Sequence, residues 1–146
     1  MQEANRSVTF FDSTFAEALA LTHESRDYLA SREWRVSGEK SASDKLLSSC
    51  ESLRLTARLT QVMAWLLVQR AVHAGELSRE EARAERYRLA GQKVCAEGDP
   101  ELAGELDPRL RELLDKSRQL YLRVQRLDAM QDDGAPGGPP RLPDFD

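Results

Sequence analysis

Between Ser43 and Gly75 small and apolar residues recur at alternating spacings of four and three. Neither proline nor glycine intervenes before Gly75, which predicts roughly eight turns of helix. Leu46, Cys50, Leu53, Ala57, Thr60, Ala64, Leu67 and Ala71 make one seam, rich in small residues. Leu55, Leu59, Val62 and Leu66 follow the same spacing about 150° further round, at ~100° per residue. A helix on the outside of a small bundle needs one apolar stripe, so two stripes imply a central position or a second partner. We expect the set Leu55, Leu59, Val62 and Leu66 to form the interface of a symmetric dimer.

The same pattern places the other elements. Residues 1–9 lack periodicity and are expected to fray. From Phe11, a face of Phe15, Ala18, Leu19, Thr22 and Leu29 marks a first helix, with start signals at Asp12, Ser13 and the capping-box pair Thr14 and Glu17. Residues 32–42 read as a loop carrying Trp34, an indole expected to fold back onto the core. Ser41 and Asp44 form a capping box for the central helix, and Gly75 suits its C-terminus. Ser78 and Glu81 open a further helix to about Cys95, poor in large apolar residues, with Glu80–Arg83 and Glu85–Arg88 as surface pairs. Asp107 and Pro108 start a last helix with the seam Leu106, Leu110, Leu113, Ser117, Leu120, Val124 and Leu127, expected to pack antiparallel to the central one. The fold class is therefore all-α: an antiparallel helical bundle of three long helices plus a shorter helix.

From Gln131 the composition changes to three glycines, four prolines and four aspartates. Residues 1–130 read as the bundle domain and 131–146 as a disordered tail, in which Arg141, Leu142 and Phe145 are candidate anchors for a partner. Of the formal net charge of −4, the tail carries −3, so the body is nearly neutral and not a polyanion-binding surface. Absence of isoleucine, and of proline from the first 99 residues, supports helices throughout. No apolar run spans a bilayer, and two cysteines suit a reduced, cytoplasmic protein, with Cys50 expected to be a buried thiol.

Candidate chemistry is thin. His23 and His73 belong to no metal-ligand motif, and no phosphate loop or nucleophile elbow is present, so we expect no enzyme, metal or cofactor. Ala71 and Gly75 have the spacing of a DNA-binding helix-turn-helix. Six residues beyond Gly75, however, stands Glu81 where a buried apolar residue belongs. Nucleic-acid binding, as a small transcription-associated regulator, is the alternative function.

Two segments, FFDSTFAEALALTHESRDYLA from Phe10 and ESLRLTARLTQVMAWLLVQRAVHAGELSREEA from Glu51, resemble the bacterial RcdA family of regulators of CtrA degradation. The resemblance implies a homodimer of three-helix-type bundles with a disordered C-terminal extension. It also implies a non-enzymatic adaptor that delivers substrates such as CtrA to the ClpXP protease with CpdR, linked to PopA and recruited to the cell pole.

Overall fold

The computed structural model describes residues 2–31, 41–97 and 106–133. Helix α1 spans Gln2–Ala30, α2 Ala42–His73, α3 Arg79–Ala82, α4 Gln92–Ala96 and α5 Pro108–Asp133, with a 3-10 turn at Glu85–Tyr87. Trp34 and the tail from 134 onward lie outside the described residues, and α5 runs three residues past the expected domain boundary at Met130.

The fold is all-α, with the three long helices bundled together. Helix α1 runs antiparallel to both others. Its Phe11 ring lies 5.1 Å from His73 near the end of α2, and its Tyr28 hydroxyl donates to Asp107 at the start of α5 over 2.7 Å. Helices α2 and α5, expected to be antiparallel to each other, are parallel. Arg58 donates to the Leu114 carbonyl, and further along both helices Trp65 Nε1 donates to Asp128 over 2.9 Å. The reason is the connection between them, which climbs back along the bundle. Arg88 donates to Asp128, Tyr121 donates to the Ala90 carbonyl over 3.0 Å, and Arg118 donates to the Ala96 carbonyl over 3.1 Å.

The helix ends of α2 follow their signals. Ser41 Oγ accepts from the Asp44 amide over 3.2 Å and Asp44 accepts from the Ser41 amide over 3.3 Å, closing the capping box. Gly75 takes φ 76°, and the Glu76 amide donates to the Ala71 carbonyl over 2.9 Å, so the last carbonyls keep partners. Helix α1 departs from expectation by starting at Gln2, ten residues before Asp12. The Thr14 hydroxyl, read as a cap, donates instead to the Phe10 carbonyl within the helix, and the docking of Phe11 on Trp65 and His73 anchors the added turns. The helix expected over 79–95 breaks into α3, the 3-10 turn and α4. Its large apolar residues are too few to hold one long amphipathic face, and Gly91 turns at φ 71°.

Each long helix buries a face of spacing four and three, and polar residues contribute to all three. In α1 the buried positions are Thr14, Ala18, Leu21, Ser25 and Tyr28, while Leu19 of the expected face is exposed. In α2 they are Ser48, Ser52, Leu55, Leu59, Val62, Leu66 and Gln69, flanked by Arg58 and Trp65. In α5 the expected seam holds from Leu106 to Val124, with Asp128 at its end.

Arg58 joins the layers. It is 2% exposed, and its guanidinium donates to the carbonyls of Cys95 (2.6 Å), Glu97 (2.6 Å) and Leu114 (3.0 Å) and to Ser117 Oγ (3.3 Å). Burial, with a smaller push from the Arg54 charge, lowers its pKa to about 10, so it stays protonated at neutral pH. A buried cation is tolerated here because acceptors surround it. Removing it strands those carbonyls and leaves a cavity. Arg58→Ala should lower unfolding free energy by about 3–5 kcal/mol in urea titrations, and Arg58→Lys should recover only part, since an ammonium lacks the planar fork. A loss below about 1 kcal/mol would contradict the role given to this residue.

Candidate interaction surface

The stripe of Leu55, Leu59, Val62 and Leu66, expected to meet a second copy, is buried within a single chain: these residues are 0%, 6%, 0% and 1% exposed. Their partners are α1 and α5, so they form the intramolecular core and not a free face. The other seam of α2 is the one left uncovered. Leu46, Leu53 and Leu67 are 66%, 71% and 53% exposed, and Cys50, Thr60 and Ala64 between them are exposed as well. Cys50 is thus a surface thiol, contrary to the sequence reading, because the seam that carries it points outward.

Beside this seam, α1 and α2 enclose an open groove of about 680 Å³, whose floor includes Leu59, Met63 and Leu29 and whose α1 wall includes Thr22 and Ser25. Apart from Arg26, which lies against Asp27 at 3.0 Å, its lining has no charge. Nothing in it can transfer a proton or hold a metal, and apolar contact is the chemistry it offers. Of its α1 contributors, Thr22 and Leu29 belong to the face read from the sequence, whereas Ser25 and Arg26 were not singled out there.

The remaining candidate residues fall into place individually. Arg141, Leu142 and Phe145 lie outside the described residues. His73 is exposed, and its ring packs at a tilt of 54° against Phe11. Among the described residues no group of three His, Cys, Asp or Glu side chains could hold a metal ion, and no helix is long and apolar enough to cross a membrane. The element after Gly75 is a single turn of four residues, too short to serve as a recognition helix in a DNA groove. Arg88, expected to pair with Glu85, instead reaches Asp128 at 2.9 Å, where Trp65 also donates.

The described residues therefore define an all-α bundle with one long helix presenting an unpartnered apolar face. A family model described as "Protein of unknown function (DUF1465)" matches residues 2–138. The crystal structure of RcdA from Caulobacter crescentus CB15 is 40% identical, with a TM-score of 0.64, covering 83% of this chain and 89% of that one. The chain belongs to this RcdA family. No curated protein matches it.

The two thiols report on the surface directly. Cys95 is 1% exposed, and burial raises its pKa, which disfavours the reactive thiolate. In dilute native protein one thiol should react with Ellman's reagent, lost in Cys50→Ser, and the second only after unfolding. Equal reactivity of both would contradict this packing.

Proposed function

We propose that this protein is a non-enzymatic adaptor in regulated proteolysis that works as a symmetric dimer, with the outward seam of α2 as the dimer face. Family membership supports the adaptor reading. What the family resemblance implies for RcdA-type proteins is carried over: delivery of substrates such as CtrA to ClpXP together with CpdR, and a link to PopA. The tail residues Arg141, Leu142 and Phe145 are proposed as a tethered motif that raises the local concentration of a partner while the bundle holds another.

The exposed leucine stripe carries the dimer reading. Three leucines more than half exposed along one helix form an apolar strip of the kind that marks a contact surface. Its sequence is also self-complementary. An antiparallel pairing of α2 with the second copy's α2 sets Leu46 against Ala71, Cys50 against Leu67, Leu53 against Ala64 and Ala57 against Thr60. Every large residue then meets a small one, the condition for close interdigitation. Along the flanks Arg54 faces Gln61 and Arg70 faces Ser49, so no like charges meet. Helix α2 has 32 residues, or about 48 Å of length, enough for an interface of standard size when the groove beside it is also filled.

Two substitutions separate this face from the core. Leu53→Asp should give a folded monomer by ultracentrifugation with unchanged helicity. Leu59→Asp should destabilise the chain itself by several kcal/mol, because it places a carboxylate in the bundle core. A Leu53→Asp protein that remains dimeric would exclude the seam as the interface. For the adaptor reading, affinity capture with mass spectrometry should recover the unfoldase and a response regulator. Recovery of nucleic acid and polymerase would favour a transcription-associated regulator instead.

A further inference from the structure

At the end of the bundle opposite Tyr28 lies a second pocket, of about 470 Å³, built from the start of α1, the C-terminal parts of α2 and α5, and helix α3. Arg79 and Arg83 both line it, four residues apart and hence on one side of α3, while the intervening Glu80 and Glu81 do not. Neither arginine makes an ion pair among the described residues. Phe11 and Met130 supply an apolar wall, and Met130 is 63% exposed. Gln69, 7% exposed, also lines the pocket, and its Nε2 donor has no hydrogen-bond partner; Gln131 lines it too, and its Oε1 acceptor is likewise unpartnered.

These features ask for one kind of ligand. Two unpaired guanidinium groups call for an anion, and the bent planar fork of each suits a carboxylate. The partial negative charge at the ends of α2 and α5 explains why cations gather there, but it leaves the buried amide donor and acceptor without partners. A peptide segment supplies a backbone carbonyl for Gln69, an amide for Gln131, a carboxylate for the arginines and an apolar side chain for Phe11 and Met130. A free phosphate would leave that apolar wall unanswered. We propose that this pocket binds an acidic residue adjacent to an apolar one in an extended segment of a partner protein. The inference rests on the adaptor reading and names the chemistry of one class of its partners.

The test uses the full chain on an array of peptides in which one variable polar residue, acidic, amide or basic, stands beside one variable side chain, apolar or serine, within glycine-serine flanks. Binding should concentrate on Asp or Glu beside Leu, Met or Phe. It should fall at least tenfold for Arg79→Gln/Arg83→Gln and move toward lysine-containing peptides for Arg79→Glu/Arg83→Glu. Both variants alter side chains outside the core and should keep native helicity and melting. Absence of binding, binding indifferent to the carboxylate or to these variants, or displacement of the peptides by equimolar inorganic phosphate overturns the proposal. Capture of the response regulator by the same preparation is read separately, so a failed array with intact capture removes the pocket and leaves the adaptor reading in place.

Discussion

The bundle depends on satisfying one buried cation. Arg58 stands at the centre of α2, and its donors are taken up by carbonyls from α4, from the residue after α4 and from α5. Two consequences follow from that geometry. The climbing segment between α2 and α5, which has little apolar surface of its own, is held by hydrogen bonds to a charged group, the stronger kind. The return of that segment along the bundle is also what allows α2 and α5 to run parallel, since a short turn at Gly75 would have forced them antiparallel. A second polar junction, where Trp65 and Arg88 both donate to Asp128, fastens the other end of the same segment.

Much of this was legible in the residues. The capping box at Ser41, the stop at Gly75 and the seam of α5 rest on local chemistry that tertiary packing did not override. The inside and outside of α2 were not legible, and the reason is specific. Ser48, Ser52 and Gln69 continue the core stripe, their small or amide side chains fitting where three helices approach closely, so a count of apolar positions made the outward seam look the more continuous. The same substitution of small polar groups in α1, at Thr14 and Ser25, hid its buried face. Arg58 itself carries no sequence signal, because nothing distinguishes a buried arginine from a surface one until its carbonyl partners are in place.

The inversion turns a packing question into a functional one. Once Leu55, Leu59, Val62 and Leu66 are assigned to the core, the leucines at 46, 53 and 67 have no cover among the described residues, and a helix held at its centre by Arg58 presents them in line. A surface on a rigid element loses little entropy when it docks. The apolar groove and the cationic pocket beside α3 share no lining residue, although both draw on α2.

The central claim, that α2 pairs antiparallel with α2 of a second copy through its outward seam, is tested most directly by cysteine crosslinking in a Cys50→Ser background. With Leu53 level with the second copy's Ala64, the double variant Leu53→Cys/Ala64→Cys brings paired Cα atoms within the range of about 4.4–6.8 Å that a disulfide spans. Mild oxidation should convert it to a covalent dimer, whereas each single variant should stay uncrosslinked. No covalent dimer from the double variant, or equal crosslinking of Leu53→Cys alone, would contradict the pairing.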